Sequence, residues 1–390
     1  MSVPRSRPVA LAAGGAGWEA AVVREIEAAD VMVLARRCMD VAELLALPPA
    51  TAEVAIVDVD LPGLDVDAVA TLEQRGVRVV AVGDPARASS LGIGLSAGPG
   101  EVEAVVSSSE PSVVAASVSP ELGEAGSPGR VTAVWGPHGA PGRSTVALAT
   151  AAELSRSGQP VVLVDADTYG GSQAQQVALL DDVSGLMAAC RSANRGVLGE
   201  AVEHVVPVAD HLGLLTGIPR PDMWTSLRPA ALERVLAELR DGHAHVVVDC
   251  GFSLEEQDPS GQGRNRATLQ VLRDADLVVA VGRADPVGLA RLVRGLHDLR
   301  DLVDAEPHVV LNRVRPTLGW DERELAATVD RLADARPVAF LPEDADALDA
   351  AVMAGELVHV AAPHSPFVAR VTRLVATLTQ ICDRDVATVP

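Results

Sequence analysis

Short apolar runs recur along the chain, and stretches with helical spacing separate them. In the C-terminal two-thirds the runs are Val131–Trp135, Pro160–Val164, Leu212–Leu215, His245–Val248, Leu277–Val281, His308–Leu311 and Pro337–Phe340. None alternates strictly between apolar and polar, so each reads as a strand of a parallel sheet covered on both faces. Helices such as Ala230–Arg240 and Gly288–Leu302 fall between them, which predicts a doubly wound sheet. Near the N-terminus, Val31–Ala35, Val54–Val57 and Val77–Val82 predict a smaller α/β unit. Residues 108–129, rich in Ser, Pro and Gly, have no apolar face and read as a flexible linker. The expected domains are therefore 1–107 and 130–390. Phe367, Val371, Leu374, Val375 and Leu378 form one stripe of a last helix, expected to pack on the sheet.

On such sheets ligands sit at the carboxyl ends of the strands. Four strand ends carry candidate chemistry. After the first comes Gly136-Pro137-His138-Gly139-Ala140-Pro141-Gly142-Arg143-Ser144-Thr145, running into a helix from Val146. A glycine-bearing loop that opens a helix offers backbone N–H groups and the helix dipole to an anion; the alternative is a plain Gly/Pro turn. Gly139, Ala140, Gly142, Arg143, Ser144 and Thr145 are the candidate phosphate binders. Asp165 and Asp167 follow the second strand, where two carboxylates can reach Mg²⁺ or position a water, or merely cap a turn. Asp249 ends His245–Asp249, a lone acid suited to a metal partner. Asn312 and Arg313 follow the sixth run, and an amide there can pair with a purine edge.

Composition alters this picture at one point. The chain has no lysine; all 32 of its basic residues are arginine. A GC-rich genome accounts for most of that exchange, yet Lys and Arg behave differently on phosphate. Net charge is −21, which disfavours non-specific DNA binding. Aromatics make up 2%, so Ala, Val and Leu must build the cores. Cys38, Cys190, Cys250 and Cys382 show no paired spacing and read as buried thiols in a reducing compartment. No apolar run approaches a membrane span, so a cytoplasmic protein is expected.

With these residues in place, the second domain resembles the MinD/ParA family of P-loop ATPases over about 235 residues. The family's K-G-G-x-G-K-[ST] pattern falls on His138–Ser144, its second acidic motif on Val164–Asp167, its Walker-B Asp on Asp249 and its adenine-contacting Asn on Asn312. Phe340–Asp344 with Ala354–Glu356 resembles its late segment. The resemblance implies ATP or ADP with Mg²⁺ held by Ser144, Asp165 and Asp249, Arg143 and Asp167 as the catalytic pair, and a homodimer. In that family a lysine at the position of His138 reaches across a nucleotide-sandwich dimer, and a second lysine stands at the position of Arg143. Histidine is shorter, and arginine is bulkier with a bidentate fork. Binding with weak or absent hydrolysis is the expectation.

In the first domain, Ile56–Gly63 resembles response-regulator receivers, with Asp58 at the phosphate-accepting position. Ala12-Ala13-Gly14-Gly15 supplies no acidic pair for Mg²⁺, and Gly83-Asp84 replaces the hydroxyl after the fourth strand. The family's fifth-strand lysine is also missing, and without a metal, phosphoryl transfer lacks its charge neutralisation. This predicts a pseudo-receiver. A pseudo-receiver joined to a MinD-like domain is the arrangement of the CpaE/TadZ family, and the arginine loop resembles that of actinobacterial septum-site-determining proteins. The resemblance implies a cytoplasmic localisation factor recruited to the cell pole or septum. Its partners would belong to a Flp/Tad pilus, a secretion machine or a division assembly, with membrane contact only indirect. A ParA- or MinD-type ATPase of chromosome partitioning or division-site selection is the alternative. His243, His245, Trp224, Arg264 and Arg266 are expected to be structural or solvated.

Overall fold

The computed structural model describes residues 6–108, 128–139, 141–179, 183–256, 263–303 and 306–388, with no side-chain description for 383–388. Ala140 and most of the predicted linker, residues 109–127, lie outside the described residues. The chain divides into two compact units, Met1–Ala125 with Ser192–Leu198, and Gly126–Arg191 with Gly199–Pro390.

The first unit carries five parallel strands: β1 (Arg7–Ala12), β2 (Met32–Cys38), β3 (Val54–Asp58), β4 (Arg78–Val82) and β5 (Ser96–Ala97). Their order is β2-β1-β3-β4-β5, that of a flavodoxin-like sheet. Val9, Leu11, Ile56 and Val80 meet Val22 and Ile26 of the helix Glu19–Ala28 and Val102 and Val106 of the helix Val102–Ser108 in one core. Short helices begin where aspartates cap them: Asp40, Asp65 and Asp84 accept from the backbone N–H of Glu43, Ala68 and Ala86. Asp58 is engaged on both oxygens. Its Oδ2 accepts from Trp18 Nε1 at 2.7 Å and its Oδ1 from the Asp60 N–H at 2.8 Å.

The second unit holds eight strands: β6 (Arg130–Trp135), β7 (Val161–Ala166), β8 (Val206–Ala209), β9 (Leu212–Leu215), β10 (His245–Cys250), β11 (Leu277–Arg283), β12 (His308–Val314) and β13 (Pro337–Pro342). The sheet runs β13-β12-β11-β6-β10-β7-β9-β8 and is parallel except for the edge hairpin β8–β9. All seven expected strands are present. The eighth, β8, contains Pro207 and is largely exposed, which suits an edge and hides it from a search for apolar runs. β6 is at the centre, so its following loop emerges in the middle of the carboxyl edge. Helix Arg143–Ser155 packs beneath it through Val146, Ala147, Ala149, Ala151 and Ala152, small residues that let helix and sheet approach closely. The stripe Phe367, Val371, Leu374, Val375 and Leu378 of helix Pro366–Thr388 is buried in the same core, as its spacing predicts.

Candidate functional site

The loop after β6 leaves the sheet so closely that only glycine fits at its first position. A Cβ on Gly136 would lie 2.2 Å from the Val281 carbonyl oxygen of β11. At the other end Gly142, with φ +92°, precedes the helix without a side-chain cap, so the first-turn N–H groups remain available for an anion. A Cβ on Gly142 would meet Asn312 Nδ2 at 2.4 Å. Asn312 is buried, and its amide donates to the Pro141 carbonyl at 2.8 Å, so this side chain fastens the loop to β12. Asn312 and Arg313 lie within β12 and not after it. The pairing with β13 is irregular there, and Arg313 takes a left-handed φ of +57°.

Arg143 turns inward. Its Nε donates to the Cys250 carbonyl at 3.1 Å, Nη1 to the Gly136 carbonyl at 3.1 Å, and Nη2 to Asp167 Oδ2 at 3.2 Å. The Arg143 and Asp167 side chains are 12% and 5% exposed, so this ion pair is nearly dry. The other oxygen of Asp167 accepts from the backbone N–H of Tyr169 and Gly170.

Below the loop sits an acidic pair. Asp165, near the end of β7, and Asp249, near the end of β10, are opposite each other in adjacent strands. Burial pushes Asp165 up to about 8, with the charges of Asp249 and Asp167 adding to it. Burial likewise raises Asp249, to about 6, while Ser144, Gln173 and Arg143 hold it down. Gln173, fully buried, joins the two elements. Its backbone N–H donates to Asp165 Oδ2, and its side-chain amide donates to Asp249 Oδ2 at 2.8 Å and to the Ser144 carbonyl at 3.0 Å. Gln173 Oε1 and Asp249 Oδ1 are buried with no hydrogen-bond partner. Oxygens of this kind, close to Ser144, are the type of donor that a hard cation such as Mg²⁺ takes. Among the described residues no group of three or more His, Cys, Asp or Glu side chains could hold a metal alone. Thr145 lines a separate groove with Leu148, Gln176, Leu348 and Leu357.

Aromatic residues are scarce in this chain, yet Tyr169 and Phe252 stack at 4.6 Å beside the loop, with His138 6.2 Å from Phe252. Arg264 lies over Tyr169 at 4.0 Å and donates to the Thr168 carbonyl. Arg266 opens the helix Arg266–Asp274 and lies over Trp224 at 5.6 Å. These two arginines are therefore packed on aromatic faces, which corrects the expectation of a solvated loop. His243 and His245 are structural, as expected: His243 Nδ1 is 3.0 Å from the Leu239 carbonyl, and burial lowers His245.

The structure thus brings Arg143, Ser144, Asp165, Asp167, Asp249 and Asn312 together around one loop. Gln173 was not among the residues expected from the sequence; its one signal is its place a few residues after the acidic motif.

No protein-family model matches the chain, and no curated protein matches it by sequence. Solved structures do resemble it. The Pyrococcus furiosus cell division ATPase MinD aligns with a TM-score of 0.52 at 18% identity, over 65% of this chain and 99% of that one. The septum site-determining protein MinD of Pyrococcus horikoshii OT3, complexed with Mg-ADP, gives 0.52 at 16% identity over 65% and 97%. A ParA family ATPase from Chlorobium tepidum TLS gives 0.51 at 18% identity over 63% and 98%. At these identities the likeness establishes the fold: an α/β domain of the MinD/ParA type.

Proposed function

We propose that this chain is a nucleotide-dependent localisation factor of the CpaE/TadZ or septum-site-determining type. It binds ATP or ADP at the Gly136–Thr145 loop, hydrolyses ATP weakly or not at all, and dimerises to position a partner assembly. The observation that carries this reading is the strand-end cluster: a helix N-terminus left uncapped behind Gly142, above Asp249 Oδ1 and Gln173 Oε1, which have no partner. Such a site offers N–H groups to phosphate and bare oxygens to a cation.

Ser144, Asp249 and Asp165 would hold Mg²⁺, which supplies charge neutralisation to the phosphates when bound. The protein's own groups do the rest. Gln173 orients Asp249, and Asn312 fixes the loop at Pro141. Asp167 is the group placed to orient a water, but its Oδ2 is paired with Arg143 and its Oδ1 is held by the backbone. An acid so engaged is poorly free to accept a proton, which favours binding over turnover. Asp58 bonded to Trp18 and Asp60 favours a docking module over a phospho-switch in the first unit.

Isothermal titration with Mg-ATP and Mg-ADP tests the proposal, with dimerisation followed by light scattering and phosphate release measured alongside. Binding with nucleotide-dependent dimerisation and negligible release is expected. Absence of heat at millimolar nucleotide would reject the reading, and sustained release would favour a cycling ATPase of the partitioning or division-site kind.

A further inference from the structure

We propose that Arg291, and not the loop's own Arg143, is the cation that meets the nucleotide's phosphates. This rests on the nucleotide-binding reading above and adds to it which side chain does the work.

Arg143 holds the position from which a cation would ordinarily reach a phosphate, but its guanidinium is committed elsewhere. Three of its nitrogens donate at 3.2 Å or less, to the Cys250 carbonyl, the Gly136 carbonyl and Asp167. Its charge is neutralised by a carboxylate that is itself only 5% exposed. Swinging outward would strand Asp167 and two buried carbonyls at once. Arg143 is in effect an internal brace between the loop, β10 and the end of β7.

Arg291 is in the opposite condition. It lies on the helix Pro286–Arg300, which follows β11, the neighbour of β6 in the sheet. From there its guanidinium rests against Gly139. A Cβ built on that glycine would lie 2.1 Å from Nη1 and 3.2 Å from Cζ. The φ of +107° at Gly139 favours glycine there, and the missing side chain leaves room for the guanidinium. Yet among the described residues Arg291 has neither hydrogen bond nor ion pair. The acid at its own helix start is already used: Asp285 accepts from Arg283 Nε and caps the helix at the Gly288 N–H. A half-buried guanidinium, laid on an anion-binding loop and left with its donors unmatched, has the chemistry to bind a multidentate oxyanion. Polyphosphate is the oxyanion that this loop and the acidic pair behind it select.

The experiment compares wild type with Arg291→Met, Arg291→Lys, Gly139→Ala and Arg143→Met in the full chain. It titrates each with Mg-ATP, Mg-ADP and AMP and records melting without nucleotide. Arg291→Met is expected to weaken ATP and ADP by at least about tenfold, the loss of a charge-assisted contact, and AMP much less. Its melting temperature without nucleotide should stay at the wild-type value, because the side chain has no hydrogen bond or ion pair among the described residues. Arg291→Lys should recover part of the affinity, and Gly139→Ala, which displaces the guanidinium, should resemble Arg291→Met. Wild-type binding with unchanged ATP and ADP affinity in Arg291→Met would overturn this assignment and leave the nucleotide reading standing. So would a lowered melting temperature in Arg291→Met, which would make the residue structural. No binding by wild type would reject both readings.

Discussion

Replacing Arg143 by Met separates a structural brace from a solvated phosphate ligand. The substitution preserves the aliphatic stem and deletes four hydrogen bonds, the longest to the Pro137 carbonyl at 3.5 Å and one to a nearly dry carboxylate. Removing one partner of a buried ion pair costs about 3–5 kcal/mol. Asp167 keeps its bonds from the Tyr169 and Gly170 N–H groups, which places the estimate at the lower end, about 3 kcal/mol. For a unit of this size each kcal/mol moves the melting temperature by about 2–4 °C, so a drop of about 6–12 °C is expected. Arg143→Lys retains the charge but lacks the fork and should fall between. Calorimetry of the full chain without nucleotide, following the transition of the second unit, reads both values. A side chain that merely waits in solvent would change stability by no more than about 0.5 kcal/mol. A shift under about 2 °C for Arg143→Met would therefore refute the brace.

Three other outcomes follow from the geometry. Asp165 and Asp249 have raised pKa values, so the folded protein binds their protons more tightly than the unfolded chain does. Their contribution to stability is fullest below about pH 4, the unfolded carboxyl value, and is lost as pH rises towards about 8. In metal-free protein, Asp165→Asn should therefore gain melting temperature over wild type increasingly between pH 5 and pH 8; a gain that is flat or shrinks with pH would contradict this. Trp18→Phe removes the indole bond to half-buried Asp58 and should destabilise the first unit by about 1 kcal/mol, measured by urea unfolding. Neither it nor the wild type should gain phosphate mass from acetyl phosphate with Mg²⁺; a labelled Asp58 in the wild type would make that unit a phospho-switch. Phe367→Ala empties a fully buried site and should cost about 3–5 kcal/mol, and liposome flotation should show no binding that depends on residues 366–390. Small destabilisation together with flotation would mean that the last helix leaves the core for a membrane. Among the described residues no helix is long and apolar enough to cross one.

What the sequence disclosed was whatever depends on local pattern. Buried parallel strands are short unbroken apolar runs, and all seven sought in the second unit are there. Three strands are absent from the apolar runs named above. β1 entered only through the receiver resemblance, β5 is a two-residue pairing, and β8 is an exposed edge whose register comes from its hairpin partner β9. Strand-end logic also located Ser144, Asp165, Asp167 and Asp249, because topology places residues that follow parallel strands along one edge. It did not disclose side-chain direction. Whether Arg143 points to a ligand or back to Cys250 depends on a carbonyl 107 residues away in the chain. Arg291 and Gln173 become meaningful only when the helix Pro286–Arg300 and the turn after β7 are folded against the loop. Arg264 and Arg266 looked solvated because their aromatic partners, Tyr169 and Trp224, are remote in sequence.

The two arginines at the loop show what loss of lysine entails here. A lysine ammonium is a point charge with three donors and cannot span three acceptors, one just beyond β6, one just beyond β7 and one on β10, as a planar fork does. Once arginine occupies position 143 it is drawn inward by those acceptors, and the loop loses a mobile cation. On the assignment proposed above, that charge comes from the next helix along the sheet, where Gly139 leaves room for the Arg291 guanidinium. The acidic pair behind the loop adds the complementary demand: burial makes two carboxylates unfavourable in the free protein, so the site is built at the expense of stability and is relieved by whatever brings positive charge to it. Arg143 provides part of that relief permanently. On the function proposed above, a loop stabilised from within in this way suits nucleotide held as a conformational signal, with Asp167, the acid proposed to position a water, clasped by the same side chain that steadies the loop.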